Sequence, residues 1–152
     1  MLQRRASRIL LVEDNPADVF LVSEALRDSG IEFELRTAPD GEEALHFLFD
    51  ETSRSTFPDL ILLDLNLPKI NGHKILQRIK SDPRTEAIPA IVMSSSGAPA
   101  EIARAYSEHA NCYIRKPSNL EELFGIILAI KSFWLEIVQL PDSQRSDSQY
   151  DA

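Results

Sequence analysis

The chain has 152 residues, of which 43% are hydrophobic, enough for one domain with a continuous core. Its 24 acidic residues outnumber its 16 basic residues and give a net charge of −8, which argues against a nucleic-acid partner and against binding to an anionic membrane surface. A single cysteine excludes an intrachain disulfide, and no stretch reaches the roughly 18 to 20 apolar residues of a membrane span. We therefore expect a cytoplasmic protein.

Short strand-like runs, most of them apolar, alternate five times with segments of helical spacing. The predicted strands are residues 8–12, 33–37, 60–63, 88–93 and 112–114. The helix starts that follow them are marked by Asn15-Pro16, Asp40, Asn71-Gly72, Pro99 and Ser118-Asn119, with Ser118 and Glu121 at the spacing of a capping box. Because parallel strands need right-handed crossover helices, this alternation predicts an α/β fold with a parallel sheet between two helical layers.

Three polar segments lack apolar periodicity. Residues 1–7 are expected to be a flexible N-terminus, residues 50–58 a surface loop and residues 142–152 a disordered tail. The folded domain should therefore occupy residues 8–141. We expect no output domain after it, so its output would pass through another protein.

Chemically active side chains stand where four of the predicted strands end. Glu13 and Asp14 follow the first strand, Asp64 the third, Ser94 the fourth and Lys116 the fifth. Ligand sites in parallel sheets lie beyond the carboxyl ends of the strands, so these five side chains should converge. Three carboxylates at close range need a positive partner, and Mg²⁺ prefers such oxygen ligands. The pattern predicts a magnesium site.

Asp64 is the candidate nucleophile, because an aspartate can accept a phosphoryl group as an acyl phosphate. A cation beside it would neutralise charge on the transferring group. Lys116 would pair with one phosphoryl oxygen, and the Ser94 hydroxyl would donate a hydrogen bond to another. Taken singly, an acidic pair in a loop or a lysine before a proline is usually just a solvated surface group. Their common place at one edge of the predicted sheet favours a functional site.

From residue 8 to about residue 131, the chain resembles the receiver domains of two-component response regulators. The motifs that carry the resemblance are Leu11-Val12-Glu13-Asp14-Asn15, Leu62-Leu63-Asp64-Leu65-Asn66-Leu67-Pro68 followed by Gly72, and Lys116-Pro117. The resemblance implies a flavodoxin-like, doubly wound (βα)5 fold. It also implies the strand order 2-1-3-4-5, and the last helix is expected to be long.

The same resemblance implies a role for each residue of the site. Asp64 would be phosphorylated, with Lys116 and Ser94 assisting. Mg²⁺ would be held by Asp14, Asp64 and the Asn66 backbone carbonyl, with help from Glu13, often through water.

Ser94 and Tyr113 would form a switch pair in which the Tyr113 ring moves inward when Ser94 engages the phosphoryl group. The family usually has threonine where Ser94 stands, which keeps the hydroxyl but drops a methyl group. On residue type alone, the preferred interpretation of Tyr113 is a half-buried strand aromatic.

Two further segments, residues 108–113 and residues 132–136 followed by Leu140-Pro141, look like the small regulators that partner phytochrome-type photoreceptor kinases. That likeness implies a bacteriophytochrome-type histidine kinase as the phosphodonor. The target would be a downstream effector or a phosphotransfer protein.

The last helix is predicted from residue 119 to residue 138, which is roughly 20 residues or about 30 Å. A strand of five or six residues spans only about 17 to 20 Å, so the end of this helix should overshoot the sheet. Phe133, Trp134, Ile137 and Val138 would then form an apolar patch, and we predict a homodimer built on them. Alternatively, the chain folds back and buries Trp134 within its own subunit.

Three other functions stay open. A phosphohydrolase with an aspartyl nucleophile would place a general acid two residues later, where Asn66 stands. A flavin-binding flavodoxin would need a Ser/Thr/Gly-rich phosphate loop after the first strand. A pseudo-receiver would dimerise without being phosphorylated, but the complete set of site residues argues against it. The favoured prediction is a signalling switch with, at most, self-catalysed phosphorylation and dephosphorylation.

Overall fold

One sheet of five parallel strands forms the centre of the molecule. A computed structural model of the chain describes residues 5–50 and 57–141. The strands are β1 (Ser7–Val12), β2 (Phe33–Ala38), β3 (Leu60–Asp64), β4 (Ala90–Ser94) and β5 (Cys112–Arg115). Their order is β2-β1-β3-β4-β5, so the flavodoxin-like arrangement and the parallel sheet are confirmed. The strand order reverses between β1 and β3, which is where such folds place their ligand sites.

Five α-helices cross over between the strands. They are α1 (Pro16–Asp28), α2 (Gly41–Phe49), α3 (Gly72–Ser81), α4 (Pro99–Ser107) and α5 (Leu120–Ile130). A π-helical segment, Lys131–Ile137, continues α5 without a break, and we call it the distal segment. Together they form the long last helix that the sequence predicted. Within the described ranges, each helix is too short or too polar to cross a lipid bilayer.

Side-chain caps begin four of these helices. The caps of α1 and α2, Asn15 and Asp40, are those that the sequence predicted, and Asn71 caps α3, whose start was predicted at Asn71-Gly72. At α5 the prediction was wrong, because the capping side chain belongs to Asn119. Its Oδ1 accepts hydrogen bonds from the amides of Glu121 and Glu122, so Ser118 stands outside the cap. An asparagine oxygen one residue later reaches the same unpaired amides that the predicted box would have satisfied.

The hydrophobic core lies on both faces of the sheet. Helices α1 and α5 cover one face, while α2, α3 and α4 cover the other. Every residue of β3 and of β4 is buried, which explains why these strands are continuous apolar runs in the sequence. Each large aliphatic side chain buried here stabilises the fold by about 2 kcal/mol. Strand β3 therefore fixes the position of its last residue, Asp64.

Strand β4 begins later than predicted. The Ile88 amide donates to the Thr85 carbonyl at 3.0 Å, so Ile88 belongs to the turn that follows α3. Pro89 has no amide hydrogen to add to the ladder. Regular pairing therefore starts at Ala90, whose amide donates to Asn111 Oδ1 at 2.8 Å.

The predicted unstructured segments are only partly described. Strand β1 begins at Ser7, one residue inside the segment expected to be flexible. Phe57 and Pro58 are buried, so the end of the predicted surface loop packs inward, where the Phe57 ring joins the core. Residues 51–56 and the predicted tail at 142–152 lie outside the described residues.

Candidate functional site

Asp64 lies at the carboxyl end of the sheet, between β1 and β4. Its side chain is almost fully buried. Oδ1 accepts a hydrogen bond from the Asn66 amide at 2.8 Å, and Oδ2 lies 3.2 Å from Lys116 Nζ. One oxygen of the carboxylate is therefore fixed by its own loop, and the other faces the ammonium of Lys116, the first residue after β5.

Three carboxylates form a cluster at this position. Oxygens of Glu13, Asp14 and Asp64 lie within 4.8 Å of one another. Glu13 is buried and Asp14 is exposed. Burial raises the pKa of Glu13 to about 7, although its hydrogen bond with Lys116 opposes the shift. A set made only of hard oxygen donors fits a divalent cation such as Mg²⁺ or Mn²⁺.

Lys116 supplies the positive charge of the cluster. Its Nζ donates to Glu13 Oε1 at 2.5 Å and lies 2.7 Å from Asp18 Oδ2 and 3.2 Å from Asp64 Oδ2. Burial lowers the pKa of Lys116, but the hydrogen bonds to Asp18 and Glu13 and the charge of Asp64 outweigh it and raise the pKa above its ordinary range. Its amide donates to the Ser94 carbonyl at 2.7 Å, which fixes the start of the loop after β5. The ammonium is thus held among three carboxylates.

Asp18 was not predicted from the sequence as part of the site. It stands three residues after Asn15, the residue that caps α1, so it belongs to the first turn of that helix. A helix that starts directly after β1 keeps its first turn beside the strand ends. An acidic residue in the first turn of the helix after β1 is the sequence feature from which its place in the site could have been predicted.

Ser94 and Tyr113 meet at Ser96. The fully buried Ser94 Oγ accepts the Ser96 amide hydrogen at 3.2 Å, and the half-buried Tyr113 hydroxyl donates to the Ser96 carbonyl at 2.7 Å. The Tyr113 amide donates to the hydroxyl of Tyr106, a residue of α4, at 3.1 Å. Tyr106 is about half exposed, and its role as a hydroxyl partner of β5 was not predicted from the sequence.

The loop between β3 and α3, which carries Asn66, is tightly shaped. A Cβ atom at Gly72 would lie 2.5 Å from the Leu65 Cα, so only glycine permits this approach. Lys69 adopts a left-handed backbone with φ of 65°, and its ammonium lies 3.3 Å from Asp40 Oδ2. These contacts restrict the loop that presents Asn66 beside Asp64.

The four residues predicted for a dimer interface differ in exposure. Phe133 is 52% exposed and Ile137 67% exposed. Trp134 and Val138 are half-buried, and Trp134 packs against the core and lies within hydrogen-bonding reach of Cys112. The alternative in which Trp134 packs within its own subunit therefore holds in part. The interface itself stays a prediction.

The structure thus brings together four of the five residues predicted to converge, namely Glu13, Asp14, Asp64 and Lys116. The fifth, Ser94, ends the neighbouring strand β4 and is tied through its carbonyl to Lys116.

Comparison with models of known protein families identifies the family of this chain. A model of the response regulator receiver domain matches residues 9–128, which is most of the sequence. The chain belongs to this family. As a receiver domain it is a component of two-component signalling, and the three motifs noted in the sequence all lie inside the matched range.

The chain is similar to known response regulators over most of its length. It shares 46% identity over 135 residues with the response regulator Rcp1 of Synechocystis sp. (strain ATCC 27184 / PCC 6803 / Kazusa), and the alignment covers 88% of this chain and 92% of Rcp1. The solved structure of the phosphorylated cyanobacterial phytochrome response regulator RcpA shares 46% identity with this chain at a TM-score of 0.86, and the match covers 91% of this chain and 100% of RcpA. The solved structure of the Mn²⁺-bound form of Rcp1 shares 44% identity at a TM-score of 0.83, and the match covers 89% of this chain and 99% of that one.

Proposed function

We propose that this receiver accepts a phosphoryl group on Asp64 from a phosphohistidine of a histidine kinase, in a reaction that requires Mg²⁺. The observation that carries the proposal is the placement of Asp64 in a cluster of three carboxylates with Lys116 Nζ 3.2 Å from its Oδ2. A carboxylate oxygen of Asp64 would attack the phosphorus while the bond from phosphorus to the donor imidazole breaks, and the imidazole would leave with the electron pair.

Two side chains would hold the transferred group. Lys116 would pair with one phosphoryl oxygen as a compact positive charge. The Ser94 hydroxyl accepts a hydrogen bond from the Ser96 amide, so its own hydrogen remains to be donated to a second phosphoryl oxygen.

Mg²⁺ would be held by Glu13, Asp14, Asp64 and the Asn66 backbone carbonyl. The carboxylate cluster supports this assignment, and so does the existence of Rcp1 in a Mn²⁺-bound form. When bound, the ion would neutralise charge on the transferring phosphoryl group. The Asn66 amide already donates to Asp64 Oδ1, which keeps residue 66 at the rim of the site.

The signal would leave through Ser94 and Tyr113. When Ser94 turns toward the phosphoryl group, the loop at Ser96 that both residues contact would shift, and with it the Tyr113 ring. Phosphorylation would thereby move a pre-existing equilibrium between two arrangements of the face formed by α4, β5 and α5.

The proposed phosphodonor is a phytochrome-type histidine kinase, supported by the similarity to the phytochrome response regulator RcpA. The output would reach a downstream effector or a phosphotransfer protein, and the receiver itself would catalyse no more than its own phosphorylation and dephosphorylation. A cytoplasmic location is part of the proposal, since a single cysteine provides none of the disulfide framework of small secreted domains.

A homodimer built on the distal segment completes the proposal. Phe133 and Ile137 expose apolar surface on it, and Trp134 and Val138 border them. A second copy would cover this surface, because exposed apolar patches of this kind mark interaction sites.

Intact-mass measurement after incubation with a small acyl phosphate and Mg²⁺ tests the central step. We expect the mass of one phosphoryl group to be added to the wild type and to be absent from Asp64→Asn and from samples with a chelator. Asp28→Asn, which changes an exposed aspartate at the end of α1, is the matched control and should be labelled normally. Labelling that persists in Asp64→Asn would overturn the proposal, and absence of labelling in every protein would favour the pseudo-receiver.

A further inference from the structure

Asp18 is bound to the lysine of the site without belonging to its carboxylate cluster. Its Oδ2 lies 2.7 Å from Lys116 Nζ, and both side chains are only 14% exposed. Within the described ranges, the carboxylates close enough to share a cation are those of Glu13, Asp14 and Asp64. Asp18 is therefore a partner of Lys116 that is separate from the proposed metal ligands.

The other two partners of Lys116 are both proposed metal ligands. Glu13 and Asp64 contact the ammonium, and as ligands of a divalent cation they would share their negative charge with it. Their attraction for Lys116 would then be weaker at the moment when the lysine has to meet the phosphoryl group. Asp18 is the partner whose charge would stay with Lys116, because its carboxylate has no place in the metal cluster.

The backbone of the first turn of α1 holds Asp18 in place. Pro16 opens α1, and the Asn15 side chain accepts the amide hydrogens of Ala17 and Asp18 at 2.9 and 3.4 Å. A carboxylate in the first turn of a helix is also favoured by the helix dipole. A lysine side chain, by contrast, is a flexible stem that is readily displaced unless a partner holds it.

We propose that Asp18 is a positioning residue for phosphoryl transfer. It would hold Lys116 Nζ beside Asp64 while a cation is bound by Glu13 and Asp64, so that the ammonium can meet a phosphoryl oxygen without first having to be immobilised. This inference rests on the proposed function, because it concerns the same reaction.

Four variants test it: Asp18→Asn, Asp18→Glu, Asp18→Ala and Glu122→Gln. Glu122 is exposed and lines the cleft beside Lys116 and Pro117, but within the described ranges it is not an ion-pair partner of Lys116. Its substitution therefore removes one negative charge from the neighbourhood of Lys116 without removing an ion pair. The measurements are the rate of labelling by a small acyl phosphate at saturating Mg²⁺, followed by intact mass, and the Mg²⁺ dissociation constant from calorimetry.

We expect Asp18→Asn and Asp18→Ala to be labelled about tenfold more slowly than the wild type, the effect of losing one charge-assisted hydrogen bond. Asp18→Glu should recover most of the rate, and Glu122→Gln should stay within about twofold of the wild type. The dissociation constant for Mg²⁺ should change no more in Asp18→Asn than in Glu122→Gln. Similar dissociation constants in the two variants would show that slower labelling comes from lost positioning of the lysine and not from a general loss of negative charge.

Labelling of Asp18→Asn at the wild-type rate or faster would overturn the inference, as would a loss of Mg²⁺ affinity larger than that of Glu122→Gln. Thermal unfolding of each variant shows whether it is folded, and the isosteric Asp18→Asn carries the test if Asp18→Ala unfolds. If the wild type is labelled only on Asp64 while Asp18→Asn keeps its rate, the Asp18 inference alone has failed. If Asp64→Asn is labelled, the proposed function has failed first.

Discussion

Two lysines, one at each end of the molecule, form short contacts with carboxylates in contrasting surroundings. Lys116 stands at the carboxyl end of the sheet among Glu13, Asp18 and Asp64. Lys131 opens the distal segment, and its ammonium lies 2.7 Å from Glu136, whose side chain is half exposed. The first lysine balances several partly buried charges, whereas the second forms a single pair that water can replace. A short distance alone therefore says little about what an ion pair does.

The same contrast holds for the two regions as a whole. The strand ends place charged groups at fixed positions because β3 and β4 are buried on both sides. The distal segment instead only borders the core, against which Trp134 and Leu135 pack, and none of its seven side chains is fully buried. Its Val138 amide bonds to the Phe133 carbonyl five residues back, the spacing of a π-helix. The sheet thus positions the chemistry, while the end of the last helix presents apolar surface.

The largest expected effect is on the lysine of the site. In the presence of a chelator, Lys116→Met should lower the free energy of unfolding by about 3 kcal/mol, because it leaves three carboxylates without their cation. Added Mg²⁺ should restore more stability to the variant than it adds to the wild type, since the ion replaces the lost charge. Denaturant unfolding with and without Mg²⁺ measures both effects.

Lys116→Arg is the matched control for this prediction. It keeps the positive charge and should retain most of the stability in chelator, but its planar guanidinium cannot replace a compact ammonium and should slow labelling by an acyl phosphate. Equal stability of the methionine and arginine variants in chelator would show that the cluster does not depend on the charge of Lys116.

A smaller effect is expected at the distal segment. Replacing both Phe133 and Ile137 by serine should weaken self-association by about 2 kcal/mol, or roughly 30-fold in the dissociation constant, because two apolar contacts are lost. Sedimentation equilibrium measures this constant. Labelling of Asp64 should proceed at the wild-type rate, because the two regions lie at opposite ends of the last helix.

Phe20→Ser provides the control for exposed aromatic surface. Phe20 is 66% exposed on α1, so its replacement removes a similar patch from a different helix and should leave self-association unchanged. A wild-type protein that sediments as a monomer at high micromolar concentration would refute the dimer, and an equal effect of Phe20→Ser would move the interface to α1.

The smallest effect is expected for the ion pair of the distal segment. Glu136→Gln should change the free energy of unfolding by less than about 0.5 kcal/mol, because one partner of the pair is half exposed. Adding salt should reduce even this difference. Destabilisation as large as that of Lys116→Met would mean that the two ion pairs are alike after all.

The central strands β3 and β4 were predictable because buried parallel strands are short continuous apolar runs, whereas the edge strand β2 mixes apolar and charged residues. Strand ends were predictable too, since Glu13, Asp64 and Lys116 interrupt such runs with charge. The sequence-based predictions were wrong where the residues were compatible with more than one local structure. Both Ser118 and Asn119 could cap α5, and Phe57 sits in a polar stretch yet finds a place in the core.

The sequence by itself therefore determined the alternation of strands and helices and the charged residues at the strand ends, because both follow from local pattern. Only the tertiary structure decided which groups meet. Glu13 and Lys116 are 103 positions apart, Asp18 reaches the same ammonium from α1, and the Tyr106 hydroxyl reaches the Tyr113 amide from α4. Such contacts depend on where a helix lies on the sheet, and packing sets that position after the local elements have formed.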